Sequence, residues 1–128
     1  MKKKILVIDD EEDIVKMLAI RLTHAGYEIQ TAFNGKEGFD ILCKDPSFDL
    51  ILLDLIMPVM DGYEFAHLVQ KDPNLRTIPI ILLSASTDHL EEKRQSLHAK
   101  AKIMKPFDPV VLLDTIKSLI NEKEGPTK

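Results

Sequence analysis

The sequence predicts an α/β domain: a five-stranded parallel sheet, strand order 2-1-3-4-5, with five helices on both faces. Three observations lead there. Short continuous runs rich in Ile, Val and Leu recur at residues 5–8, 50–53 and 78–83, as expected for strands buried on both faces. Helix-length segments of mixed polarity separate them. The strand–helix rhythm repeats five times, which implies parallel strands joined by right-handed crossovers.

Each element follows from its local pattern. After the first run, residues 11–25 set Ile14, Val15, Leu18, Leu22 and Ala25 on one stripe at 100° per residue, and Gly26 supplies a C-terminal stop. Residues 27–33 and 101–104 mix polar with apolar side chains, so they read as the edge strands, second and fifth. That placement gives the flavodoxin-like order. Residues 36–44, 62–71, 88–97 and 109–121 each hold a further helix, and in the last Val110, Leu113, Ile116, Lys117 and Ile120 trace mostly one face.

A chain of 128 residues suits one domain, expected over residues 1–121, with a flexible tail at 122–128 broken by Gly125-Pro126. With 21 acidic and 17 basic residues the net charge is -4, a poor match to direct nucleic-acid binding. No apolar run approaches a membrane span, so no membrane insertion is expected. The basic start precedes only four apolar residues, too few for a signal-peptide core. The single Cys43 excludes an intrachain disulfide and fits a cytoplasmic location; it is expected to pack as a small helix residue. His24, His67, His89 and His98 show no ligand spacing.

Ligands of an open parallel sheet bind beyond the carboxyl ends of its strands. There the sequence places Asp9-Asp10-Glu11-Glu12, then Asp54, then Ser84-Ala85, then Lys105-Pro106; the second strand ends at Asn34-Gly35, which reads as a turn. Three carboxylates in one pocket repel one another and call for a cation. Hard oxygens without His or Cys favour Mg²⁺, with Mn²⁺ able to substitute. A lysine and a hydroxyl complete a cradle for a phosphoryl group, and leave one carboxylate free as a nucleophile. The simpler reading of Asp9 and Asp10 is that they cap the first helix.

Four segments, Val7-Ile8-Asp9-Asp10-Glu11, Leu52 through Gly62, Leu83-Ser84-Ala85 and Met104-Lys105-Pro106-Phe107, together resemble the signature of response-regulator receiver domains, over residues 3 to about 121. The resemblance implies that Asp54 accepts a phosphoryl group from a phosphohistidine donor. It implies that Asp10 binds Mg²⁺ directly, that Asp9 assists, and that the Ile56 backbone carbonyl is a further ligand. Ser84 would bond a phosphoryl oxygen, Lys105 would pair with it, and Lys105-Pro106 would be a cis peptide. The implied partners are a sensor histidine kinase or a histidine phosphotransfer protein, docking on the first helix near Met17 and Ile20, and an unknown downstream protein. Such a domain is a phosphoacceptor that assists its own phosphorylation, not an enzyme acting on others.

The sequence departs from the family pattern on the output side. Lys102 stands where many receivers carry an inward-rotating Tyr or Phe, and a lysine cannot bury its charge there cheaply. Ile56, two residues past Asp54, cannot orient an attacking water, which implies slow self-dephosphorylation. Lys102 keeps open the alternative of a pseudo-receiver, an interaction module that is not phosphorylated. A haloacid-dehalogenase-type phosphatase needs a second acid where Ile56 stands. A flavodoxin needs a Ser/Thr/Gly-rich phosphate loop after the first strand, where acids stand instead.

Overall fold

The computed structural model describes residues 2–86 and 89–124, with side chains through residue 121. Five strands, β1 (Lys4–Ile8), β2 (Glu28–Ala32), β3 (Leu50–Asp54), β4 (Ile80–Ser84) and β5 (Ala101–Met104), alternate with five helices, α1 (Glu12–His24), α2 (Gly35–Lys44), α3 (Gly62–Lys71), α4 (Leu90–Ser96) and α5 (Pro109–Glu124). The strands form one parallel sheet in the order β2-β1-β3-β4-β5. The expected architecture is therefore the observed one.

Alternation along the central strands builds two cores. Ile5, Val7, Leu50, Leu52, Ile81 and Leu83 face α1 and α5, meeting Val15, Leu18, Leu22, Leu112, Ile116 and Ile120. Leu6, Ile8, Ile51, Leu53, Ile80 and Leu82 face the other way, toward Leu42 of α2, Phe65, Ala66 and Val69 of α3, and Leu90 of α4. Every residue of β3 and β4 is buried, which explains why their sequences are apolar up to the last residue of each, Asp54 and Ser84. β2 and β5 lie at the edges and keep exposed positions.

Several local expectations need correction. β4 begins at Ile80; Ile78 is buried in the preceding loop. On α1 the buried stripe is Val15, Leu18 and Leu22, while Ala25 is exposed at the C-cap. On α5 the buried face is Leu112, Ile116 and Ile120, and Val110 is exposed; four apolar residues in a row at its start had left the phase of the stripe ambiguous. α5 also runs on to Glu124, and α4 is confined to seven residues. Cys43 is exposed rather than packed. Asn34-Gly35 is a helix start, since the Asn34 side chain accepts a hydrogen bond from Glu37 N at 2.9 Å. The break expected at Gly125-Pro126 lies outside the described residues.

The β3–α3 loop is closed on itself and tied to the start of α2. Gly62 N donates to Leu55 O at 2.9 Å, and Gly35 N donates to Met60 O at 2.8 Å. A Cβ at Gly62 would stand 2.5 Å from the Asp54 carbonyl oxygen and 2.8 Å from Leu55 Cα, both backbone atoms with no rotamer to yield. Gly62→Ala is therefore expected to cost about 1–3 kcal/mol through a forced shift of this loop. Urea denaturation measures it; an unchanged midpoint would mean that the loop yields freely.

Candidate functional site

The site sits on the carboxyl rim of the sheet, where the ends of β1, β3, β4 and β5 converge. β1 delivers Asp9 one residue past its end, and Asp9 N bonds Ala32 O at 3.1 Å. β3 ends on Asp54. Asp9, Asp10 and Asp54 each offer a carboxylate oxygen, and these atoms lie within 4.8 Å of one another. Asp9 is fully buried, Asp54 nearly so, and Asp10 is exposed. Neither Asp9 nor Asp10 is the N-cap of α1. That position is Glu11, whose side chain makes no capping bond, while its N–H donates to Asp9 Oδ1 at 2.9 Å.

Lys105 reaches into this acid cluster from just past β5. Its Nζ lies 2.7 Å from Asp9 Oδ2, 2.8 Å from Glu11 Oε1 and 3.6 Å from Asp54 Oδ1. Only 8% of the Lys105 side chain is exposed. The peptide joining it to Pro106 is cis, as the resemblance implies, and Lys105 N bonds Ser84 O at 2.7 Å. Burial works against the charged ammonium, but Asp9, Glu11 and Asp54 outweigh it and hold the Lys105 pKa above its ordinary value.

Asp54 is pushed up to about 6, first by burial and then by the neighbouring charge of Asp9; Lys105 and the Ile56 N–H pull the other way. Asp9 Oδ2 accepts no well-aligned hydrogen bond although Lys105 Nζ lies close by. A buried carboxylate oxygen with spare lone pairs, in a set of three hard oxygen donors, fits a small divalent cation. Mg²⁺ is matched by the donor chemistry, and no His or Cys enters the set.

The sequence-predicted residues are not equally engaged. Ser84 pairs with Met104 in the sheet, beside Lys105, but its hydroxyl turns to its own loop, donating to Ser86 O and accepting from Ser86 N at 3.1 Å each. The Ile56 side chain is 72% exposed beside the acids. Lys102 does not enter the core; its Nζ bonds Glu91 Oε1 of α4 at 2.6 Å, and Arg94 holds the other oxygen of Glu91. Sequence reasoning missed Glu11 as part of the site. The available signal was a glutamate at an N-cap, where its length suits it poorly to capping.

Comparison with known proteins decides the family. The response regulator receiver domain family matches residues 5–117. The chain belongs to that family.

The receiver is 39% identical over 127 residues to a probable transcriptional regulator, ycf27, of Cyanophora paradoxa, covering 98% of this chain and 52% of that protein. It superposes on the chemotaxis protein CheY4 of Vibrio cholerae with a TM-score of 0.86 at 33% identity, covering 93% and 99% of the two chains. It also matches the response regulator TrrA of Thermotoga maritima, solved in complex with Mg²⁺ and BeF, with a TM-score of 0.81 at 34% identity, covering 91% and 98%. The chain spans about half the length of some curated relatives and about a quarter of others. Receivers are regulatory phosphoacceptor domains, and the acid cluster is where members of this family bind Mg²⁺. Among the described residues no helix is long and apolar enough to cross a membrane.

Proposed function

We propose that Asp54 is the phosphoacceptor of this receiver and that the domain signals by phosphorylation-dependent binding of partner proteins. The observation that carries this reading is the meeting of Asp9, Asp10, Asp54 and Lys105 at one rim. Asp54, at the end of the sheet's middle strand, attacks phosphorus as a carboxylate. Its carboxylate oxygen forms the new O–P bond while the bond to the leaving imidazole of a phosphohistidine breaks. Lys105, 3.6 Å away, pairs with the phosphoryl oxygens as their charge develops. Ser84, next to Lys105 across β4 and β5, releases Ser86 and donates its hydroxyl proton to a phosphoryl oxygen. Asp10 and Asp54, helped by Asp9 and the Ile56 carbonyl, would hold Mg²⁺ or Mn²⁺, which offsets charge on the transferring group.

The intact pocket supports this reading over a pseudo-receiver. The donor would be a sensor histidine kinase or histidine phosphotransfer protein in the cytoplasm. It would dock on α1, where Ile20 is 71% exposed and Met17 half-buried. Residues 1–121 would be the receiver unit.

Incubation with acetyl phosphate tests the reading. With Mg²⁺ the intact mass is expected to rise by one phosphoryl group, and with chelator or in Asp54→Asn it stays unchanged. An unmodified wild-type chain, or a modified Asp54→Asn chain, would overturn it.

A further inference from the structure

The Lys105 ammonium has two close partners, and neither is Asp54. One is Asp9, buried within the acid cluster. The other is Glu11, which stands outside that cluster, with 57% of its side chain exposed. Glu11 reaches Lys105 because of where it sits. As N-cap of α1 it has extended backbone angles, its N–H is held by Asp9 Oδ1, and its side chain makes no cap bond. A shorter Asp at this position would turn back onto the helix N–H groups, as Asn34 and Asp61 do at α2 and α3. A glutamate is long enough to span to the lysine instead.

We propose that Glu11 is a positioning residue that holds the Lys105 ammonium away from Asp54 and so sets how readily that lysine engages a phosphoryl group. The proposal rests on the phosphoacceptor reading of Asp54. Asp9 and Glu11 lie 2.7 and 2.8 Å from the ammonium, whereas Asp54 lies at 3.6 Å, outside hydrogen-bond range. A phosphoryl group on Asp54 brings up to two negative charges and three acceptor oxygens. Lys105 then exchanges Glu11 for the phosphoryl oxygens. Glu11, being mostly exposed, is released to water at little cost. Its grip on the lysine therefore opposes the phosphorylated arrangement.

Two variants separate reach from charge. Glu11→Gln keeps the length and removes the charge; Glu11→Asp keeps the charge and cannot span to Lys105. Asp is also a good N-cap, so that variant retains the helix start. Beryllofluoride with Mg²⁺ serves as the phosphoryl mimic, followed by calorimetry because the chain has no tryptophan to report binding. Both variants are expected to bind beryllofluoride about two- to fivefold more tightly than wild type, the range for one partly exposed ion pair. Glu11→Asp is expected to leave the affinity for Mg²⁺ alone within about twofold, because the local charge is unchanged. A purely structural role would not separate the two ligands in this way.

Unchanged beryllofluoride affinity in Glu11→Asp overturns the inference, even if Glu11→Gln binds more tightly, since charge alone would then account for the effect. A wild-type chain that takes up no beryllofluoride would instead remove the phosphoacceptor reading beneath it. Binding by wild type with no gain in Glu11→Asp removes the inference about Glu11 alone.

Discussion

Replacing Lys105 with Met is expected to destabilise the metal-free protein by about 3–5 kcal/mol, the cost of leaving a buried ionised partner without its counter-ion. Met keeps the apolar stem and removes only the ammonium, so the loss reports charge rather than packing. Lys105 is the cation at the centre of this cluster: Asp9 is wholly buried, and Asp54 and Glu11 share the same ammonium. Without it, Glu11 can swing into water, but Asp9 and Asp54 cannot. The deficit is expected to shrink as pH falls toward about 6, because Asp54, without Lys105 to pull its pKa down, already takes up a proton above that value in the variant and stops contributing charge. Millimolar Mg²⁺ is expected to restore part of the loss by binding the folded acid cluster. Urea denaturation in chelator, with and without added Mg²⁺, measures both effects. Equal midpoints for wild type and Lys105→Met in chelator would show that the cluster is not under the electrostatic load inferred for it.

Asp54→Asn is expected to act in the opposite direction, although the two side chains are neighbours. The folded-state pKa of Asp54 is raised to about 6 from 3.8, so between those values the folded protein binds more protons at this site than the unfolded chain. Below about pH 4 the side chain is neutral in both states and costs nothing; the cost grows as pH rises toward about 6 and is full above it. At pH 7 the ionised carboxylate burdens the fold by roughly 2–3 kcal/mol. Asparagine has nearly the same shape and no charge, so the metal-free variant is expected to melt several degrees higher at pH 7. The gain should vanish near pH 4, where the wild-type side chain is itself neutral. Thermal melts of both proteins in chelator from pH 4 to pH 8 test this. Parallel curves with a constant offset would refute it. The residue proposed as phosphoacceptor is thus one whose charge the metal-free fold tolerates poorly.

The legible parts of this molecule are those where one physical constraint dominates. β1, β3 and β4 are buried on both faces, and uninterrupted Ile, Val and Leu announce them. Their order then places Asp9, Asp10, Asp54 and Lys105 at one rim without further information. Where two constraints compete, the reading slips. α5 opens with apolar residues on every side, so periodicity alone did not separate buried Leu112 from exposed Val110. Glu11 lay in an acidic run in which a helix start and a site residue look alike; only the length of its side chain distinguishes it. Lys102 was read correctly as unable to enter the core. Its partner Glu91, whose pKa Arg94 and Lys102 pull below the usual carboxylate range, lies eleven residues away across a loop, and no local pattern couples them.

All five strands run the same way, so the acids and Lys105 gather at one end of the molecule and the turns that feed the strands lie at the other. The turns that feed the strands, such as the exposed Pro73-Asn74 before β4, stand a full strand length from the acids. A spectroscopic label or an affinity handle carried on that turn would observe the molecule from behind, with the sheet as a rigid partition between probe and chemistry.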